Sequence, residues 1–432
     1  MRLPLIALLI VSAFSARAEQ ASMSDSFVNI IAVQTHIAST GGNYGTLLNT
    51  WVKRVADAGI RHLRDNAWDQ PTSTAMQNVI TTIHGMTGLN VNWIFTQGAS
   101  CTDVTADSPT NLPGWGWTPA MIDMFEGMNE IGPAQGFCGS NPSPTWYAQF
   151  AADASYLHTT VAGMGGGWTS IPVASPSLDE YGRYDTTDVT ADATLIGNIS
   201  SSINYGTWHV YCSGYQPTCW PGVFPSSMMP AYGSQPFVVT ETGYATWPGG
   251  SDVSVASAGN YYSRLFFEWF NQGAVRVSVY ELLDDTASAG NDANFGLLYS
   301  DGTPKPAFTA IANEIALLTD PGSAFTPGNL NYSITNNSGF SVSHTLLQKR
   351  NGVYYLALWE PYNWNDYFLP ASITVNLPAN YNCTWYLPQN SNLAQGSAAN
   401  TNSVGLTVTD NTLILEIAPV VGSGTPPVMI LR

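Results

Sequence analysis

From Phe27 to Leu318, short runs rich in β-branched and aromatic residues alternate with longer stretches of helical periodicity. This alternation constrains the fold more than any other feature, because strand, helix and strand in succession return the chain to a parallel sheet. The strand-like runs fall at 27–36, 60–66, 90–97, 121–130, 171–177, 207–212, 236–244 and 275–284. Two helical stretches, LLNTWVKRVADAG and MQNVITTIHGMTG, end on Gly59 and Gly88, which suit helix C-caps. NYYSRLFFEWFNQG precedes the eighth run, and KPAFTAIANEIALLTD follows it. Eight strands alternating with helices predict an α/β fold, a (β/α)8 TIM barrel.

Past Pro321 the helical periodicity stops. SVSHTLLQKRNGVYYLALWE, ASITVNLP, NCTWYLP, VGLTVTD and NTLILEIAP alternate apolar and polar residues between Asn, Gly and Pro turns. They predict a C-terminal antiparallel β-sandwich. The expected organisation is residues 1–18 as a signal peptide, 19–320 as the barrel and 321–432 as the sandwich.

The signal reading rests on MRLPLIALLIVSAFSARAEQ. Arg2 supplies a positive start, Leu3 to Phe14 an apolar core, and Ala16-Arg17-Ala18 a small-x-small cleavage site. The apolar run is short for a membrane span. A secreted or periplasmic protein is therefore expected. The formal net charge of −17 argues against a nucleic-acid partner, whose phosphates would repel it. Lysine is scarce, which argues against a polybasic membrane surface, and a monomer is expected. Export permits disulfides. Cys212 and Cys219 flank a short loop they can close, Cys101 and Cys138 can join two loops, and Cys383 is left as a buried thiol. No CxxC pair occurs and the six His are scattered, so neither a metal nor a cofactor is expected.

Active sites of such barrels lie at the C-terminal ends of the strands. Polar residues there are His36 in run one, Arg64 and Asp65 in run two, Asn129 and Glu130 in run four, and His209 and Tyr211 in run six. Glu241 follows in run seven, and Tyr280 and Glu281 in run eight. Glu130 and Glu241 stand out, because glycoside cleavage by the common route needs two carboxyl groups. One protonates the leaving oxygen and the other, ionised, attacks the anomeric carbon. Separations of about 5–5.5 Å give retention and about 6.5–9.5 Å inversion. Arg64 and the Tyr211 hydroxyl are expected to keep Glu241 ionised. His209 and Tyr211, two apart on a strand, point the same way.

With those residues in place, Asn129-Glu130 in run four, His209-x-Tyr211 in run six and Glu241 in run seven resemble the pattern of clan A glycoside hydrolases. The barrel-then-sandwich order is similar to family 39, with families 30 and 79 as neighbours. FGLLYSDGTPKPAF (295–308) is similar to the join between strand eight and the last helix in many bacterial members. The resemblance implies a retaining β-glycosidase in which Glu130 is the acid/base, Glu241 the nucleophile, and Asn129 a contact to the sugar 2-hydroxyl. It implies a polysaccharide or oligosaccharide substrate. Many clan members carry Trp near the end of strand eight. Here the run is SVYELLDD, so Tyr280 takes that place and Glu281 is an extra carboxylate without an assigned role.

Each residue also has a plainer reading. Arg64 can pair with Asp65 or a surface acid instead of Glu241, Glu126 can be a structural partner deeper in the barrel, and His36 can be a satisfied barrel histidine. Among 14 Trp, residues 68, 93, 115, 117, 220 and 247 sit near strand ends or in loops and are candidates for sugar stacking, with Trp247 carried forward as substrate-binding. Trp51 and Trp269 lie in helical stretches and read as core. The Asp-rich segment 284–296 reads as a solvated loop in preference to a calcium site. Alternatives to an endo-acting hydrolase are an exo-β-glycosidase, a transglycosylase and, from another class, a non-catalytic carbohydrate-binding protein.

Overall fold

The computed structural model describes residues 17–37, 42–66, 82, 85, 89–95, 108–132, 145–178, 186–217, 219, 226–247, 253–285, 290, 293–336, 338–361 and 370–420. The chain enters through two short strands, β1 (Arg17–Gln20) and β2 (Ser22–Met23). Eight strands of a parallel sheet follow: β3 (Ile31–Gln34), β4 (His62–Asn66), β5 (Asn90–Ile94), β6 (Ile122–Glu126), β7 (Val173–Ala174), β8 (Gly206–Tyr211), β9 (Phe237–Gly243) and β10 (Val277–Val279). Each falls on one of the eight runs read from the sequence. They hydrogen-bond in the order β7-β6-β5-β4-β3-β10-β9-β8. The ring closes where Ala174 of β7 bridges Tyr205 just ahead of β8, and the Ser175 amide donates to the Tyr205 carbonyl at 2.9 Å.

These strands are buried along nearly their whole length, as expected where helices cover a parallel sheet. Helix Leu48–Ala58 stops at Gly59, whose φ of 74° is the left-handed conformation glycine adopts without penalty. A Cβ there would also lie 2.9 Å from Ile315 Cγ2. Helix Val255–Asn271 starts under a Ser254 cap that accepts from the Ser257 amide. Helix Pro306–Leu318 opens on Pro306, where a missing N–H is harmless. The helix expected to end at Gly88 falls almost wholly outside the described residues.

The remaining strands are β11 (Asn329–Asn336), β12 (Ser343–Gln348), β13 (Tyr354–Trp359), β14 (Ala371–Tyr386), β15 (Gly396–Val408) and β16 (Leu413–Pro419). Where the sequence predicts a sandwich, the hydrogen bonding runs as one path, β1-β11-β14-β16-β13-β12-β2, with β15 added to β14. The long strand β14 makes this possible. Its first half pairs with β11, its second half with β16, and β15 follows its other edge, with the register shifting between Asn376 and Cys383. A separate apolar core, including Leu330, Leu356, Val375, Leu406 and Leu415, lies under this sheet.

The expected division at residue 19 differs from what the pairing shows. Residues 17–20 pair with β11 and residues 22–23 with β12, so the N-terminal strands complete the second sheet and take no part in the barrel. Glu19 and its partner Tyr332 are 313 residues apart, beyond the reach of local periodicity. The barrel and the second sheet meet along helix Val255–Asn271. There Ser263 Oγ accepts from the Thr412 amide at 3.0 Å, Asn260 donates to Asp410 at 3.1 Å, and Arg264 donates to the Glu360 carbonyl. Among the described residues no helix is long and apolar enough to cross a membrane.

Candidate active site

Strand β6 ends four residues short of Glu130. The run 121–130 reads as one strand in sequence, but the chain leaves the sheet at Gly127. A Cβ at Gly127 would sit 2.6 Å from Asp153 Oδ2 and 2.7 Å from the Pro176 nitrogen, so only glycine passes. Asp153 then accepts from the Met128 amide at 2.9 Å, and Ser177 Oγ accepts from the Glu130 amide at 2.8 Å. Glu130 itself has a φ of 49°, a conformation that costs a non-glycine residue energy and is held only by its surroundings. The result turns its carboxyl across the barrel mouth.

Arg64, on β4, organises the floor. It is 1% exposed and its guanidinium reaches five residues, the fifth being His209. Nε and Nη2 reach the two oxygens of Glu126 at 2.8 and 2.7 Å, a bidentate pair. Nη1 donates to Gln34 at 2.7 Å and to Glu241 at 2.6 Å, and Nη2 also reaches Asn129 Oδ1 at 2.9 Å. The pairing with Asp65 does not occur: Asp65 accepts instead from the Thr35 hydroxyl and the amides of Ile37 and Asn66. Glu126, wholly buried and also bonded to Asn92, is the bidentate partner of Arg64 deeper in the barrel. Because a guanidinium only donates, the Asn129 atom facing it is the oxygen, which leaves the Asn129 NH2 as a donor for a hydroxyl at the mouth.

His209 and Tyr211 project the same way from β8, as their spacing requires. The Tyr211 hydroxyl donates to Glu241 at 2.7 Å. His209 Nδ1 lies 2.9 Å from Glu130 and 3.6 Å from Glu241, while its Nε2 faces Arg64 at 3.4 Å. In the neutral ring the nitrogen facing the guanidinium is the bare one, so Nδ1–H points at Glu130. Burial opposes charging the ring, but Glu241 and Glu130 more than offset it, and the His209 pKa lies above the ordinary histidine value.

Glu241 stands near the end of β9. Two residues on, the strand finishes at Gly243, where a Cβ would run into the Tyr280 carbonyl. Burial disfavours the Glu241 carboxylate. His209, Arg64 and the Tyr211 hydrogen bond outweigh that, so its pKa falls below the ordinary glutamate value. Glu130 is the more open of the two, its side chain 27% accessible against 10% for Glu241. One oxygen of each carboxyl and a nitrogen of His209 lie within 4.8 Å of one another. Three such ligand atoms can hold a cation in principle, but Arg64 already neutralises Glu241 and His209 already bonds Glu130.

Tyr211→Phe removes the hydroxyl that helps to hold Glu241 ionised. We expect kcat/KM for any reaction that needs Glu241 ionised to fall about tenfold or more. The acid limb of its pH profile should move upward, since a carboxylate that loses a hydrogen-bond donor protonates at higher pH. An unmoved limb would detach Tyr211 from the ionisation of Glu241.

The strand-eight end supplies a second cluster. Glu281 is buried, and its Oε2 accepts from Tyr44 at 3.0 Å and lies 3.2 Å from His36 Nε2. Burial would lower the His36 pKa, but the Glu281 hydrogen bond and charge, with Asp65 and Asp285 nearby, raise it to about 9. Thus Glu281, without a role on sequence grounds, is the counter-ion of His36. The His36 ring meets Tyr280 edge-on with centroids 5.7 Å apart. Tyr280 and Tyr211 both contact Phe295 edge-on, at 5.7 and 5.6 Å. Asp284 pairs with Lys305 at 2.7 Å, so that carboxylate of the Asp-rich segment already has its cation.

Sequence reasoning missed Phe295, Ser177, Gln34 and Tyr44. Ser177 and Gln34 lie at or near the ends of predicted strands, and polarity there was the available signal. Phe295 and Tyr44 sit in connecting segments with no such signal. The stacking candidates divide. Trp93 and Trp117 are 3% exposed and pack edge-on against each other, so they belong to the core with Trp51 and Trp269. Trp115 and Trp247 are half-buried, Trp247 four residues past β9, and Trp68 and Trp220 lie outside the described residues. Cys212 and Cys219 form a disulfide and Cys383 is a buried free thiol, while Cys101 and Cys138 lie outside the described residues.

No protein-family model matches the chain, and no curated protein matches it in sequence. Its structure is similar to a family 39 glycoside hydrolase from the gut symbiont Bacteroides cellulosilyticus WH2, with a TM-score of 0.60 at 13% identity over 92% of this chain and 82% of that one. It is also similar to CelM2, a bifunctional glucanase-xylanase from a metagenome library, with a TM-score of 0.56 at 10% identity over 94% and 98% of the two chains. A glucosidase from Croceicoccus marinus aligns with a TM-score of 0.55 at 10% identity over 85% and 91%. At such identities the likeness is one of architecture, and the chain has the fold of these glycoside hydrolases, a parallel eight-stranded barrel carrying a strand-rich second unit.

Proposed function

We propose that the protein is an exported retaining β-glycoside hydrolase acting on a poly- or oligosaccharide. The observation that carries this reading is the environment of two carboxyl groups facing each other across the barrel mouth. Glu241 is held ionised by Arg64 and Tyr211, and Glu130 presents an oxygen within 4.8 Å of it. So close an approach of the two groups is in keeping with direct attack by Glu241, the arrangement of a retaining enzyme. In the first step a Glu241 oxygen bonds to the anomeric carbon while the glycosidic C–O bond breaks, and Glu130 gives its proton to the leaving oxygen. In the second, water attacks the same carbon, Glu130 takes up the water's proton, and the ester bond to Glu241 breaks. Two inversions return the starting configuration.

Arg64 and Tyr211 keep the attacking oxygen charged and aimed, His209 fixes the Glu130 carboxyl, and the Asn129 NH2 suits the sugar 2-hydroxyl. His36, Tyr280 and Trp247 line the rest of the mouth as substrate contacts. Neither a metal nor a cofactor is needed for these steps. The N-terminal apolar segment and the Cys212–Cys219 disulfide both support export to an oxidising compartment. A glucanase-xylanase and a glucosidase among the similar folds are in keeping with a neutral glycan as substrate.

The test is hydrolysis of a panel of aryl β-glycosides and plant and bacterial polysaccharides, with the first-formed product followed by proton NMR. We expect the β-anomer first. An α-anomer would overturn the double displacement, and no product from any substrate would favour a non-catalytic carbohydrate-binding protein.

A further inference from the structure

We propose that Tyr215 is a sugar-stacking platform on the leaving-group side of the site, which makes a glycan chain, in preference to a small non-sugar group, the leaving group this site favours. This inference rests on the glycosidase reading above and extends it to the substrate's far side. Tyr215 is 51% exposed, among the most exposed aromatic side chains of the described residues. A single exposed aromatic is ordinary on any surface. What separates Tyr215 is how firmly its backbone is held and where.

Tyr215 lies four residues past Tyr211, the last residue of β8, in a loop closed by the Cys212–Cys219 disulfide. Cys212 is 4% exposed, so the loop is pinned at its root. The Tyr215 amide donates to the Cys212 carbonyl at 2.9 Å. The Tyr215 carbonyl accepts from the Tyr244 hydroxyl at 3.0 Å. Tyr244 is itself buried, packs against Tyr261 and Tyr262, and stands three residues after Glu241. The backbone under the exposed ring is thereby tied to the ends of both β8 and β9, the strands that bear His209, Tyr211 and Glu241.

An exposed tyrosine on a fixed backbone loses little freedom on binding, which is what makes such rings effective contact surfaces. Its place follows from the same connections. Four residues of chain span at most about 14 Å, so the ring stands within a few sugar units of the reacting carbon. Glu130, which protonates the leaving oxygen, is held by Ser177 beyond β7 and by His209 on β8. The leaving portion of the chain departs past that sector, and the Tyr215 loop rises from β8 beside it. A flat aromatic face there suits the CH face of a pyranose, with no charge required on the glycan.

The experiment compares wild type with Tyr215→Ala and Tyr215→Phe on two substrate types: 4-nitrophenyl β-glycosides, whose leaving group is not a sugar, and β-linked xylo-, cello- and laminari-oligosaccharides. We expect Tyr215→Ala to raise KM for oligosaccharides about tenfold or more, the scale on which covering an aromatic face acts, with kcat/KM for the aryl glycosides within about twofold of wild type. Tyr215→Phe should behave as wild type on both, since the ring and not the hydroxyl does the binding. Equal losses on both substrate types, or no loss on either while wild type cleaves both, would overturn the platform alone. A wild type that cleaves neither type would overturn the glycosidase reading and this inference with it.

Discussion

Replacing Glu241 with Ala is expected to lower kcat on aryl β-glycosides by on the order of 10^4-fold or more, the scale of deleting the group on which a covalent route depends. The stronger prediction is what added azide does. In Glu241→Ala the vacated space admits azide to the face of the sugar that Glu241 attacked, and it displaces the aryl group in one step to give the glycosyl azide of inverted, α configuration. In Glu130→Ala the nucleophile remains. The covalent intermediate forms with a good leaving group that needs no protonation, and azide then resolves it to the β-glycosyl azide. Opposite anomers from the two variants, read by proton NMR, would fix which carboxyl does which task. The same anomer from both would refute the division of roles.

Arg64→Met carries the second large effect, and it falls on stability as well as rate. Arg64 is the cation between two buried carboxylates, Glu126 and Glu241. Removing one partner of a buried pair leaves an uncompensated charge, at a cost of about 3–5 kcal/mol. The pH dependence gives the check. In the native protein Glu241 has a lowered pKa, so the stability it contributes is present above its unfolded value and lost as pH falls through the folded one. Without Arg64, only His209 and Tyr211 are left to offset burial, and the Glu241 pKa moves upward. The variant should therefore lose denaturation midpoint most at neutral pH and recover part of the deficit toward about pH 4, near the ordinary carboxylate range, while its activity is abolished. A deficit that is constant across that range would mean that lost packing, not uncompensated charge, sets the cost.

Much of the barrel was readable because its signals are local. β-Branched runs, the helix stop at Gly59, and the polar residues closing successive strands each lie within a few residues of the element they define. The paired carboxylates followed from that count, since strands four and seven place Glu130 and Glu241 at the same end of one ring. The His209-x-Tyr211 spacing was equally local. What stayed hidden depends on approach in space. Gly127 ends β6 early because Pro176 and Asp153 leave no room for a side chain. Trp93 and Trp117 turn from loop candidates into core because each packs on the other across a connecting segment. Glu281 gained its role only when Tyr44 and His36 converged on one of its oxygens. The one-path second sheet depends on a strand, β14, long enough to serve two neighbours along a single edge.

The pairing of β1 with β11 and of β2 with β12 has a consequence for how the molecule is made. As the chain emerges from the ribosome, Glu19 appears before the barrel, whereas its partners Tyr332 and His344 appear only after the entire barrel. The last-made strands are needed before the first-made ones have anything to join, so this sheet is a late, high-contact-order assembly. The barrel is in effect an enormous insertion between the first two strands of another unit and the rest of it, and closing so long a loop carries an entropic cost that the barrel's own compaction largely removes. A cut at the apparent boundary near residue 320 would therefore not yield two self-sufficient pieces: the fragment bearing β11 to β16 would present two unmated strand edges, which is a template for aggregation.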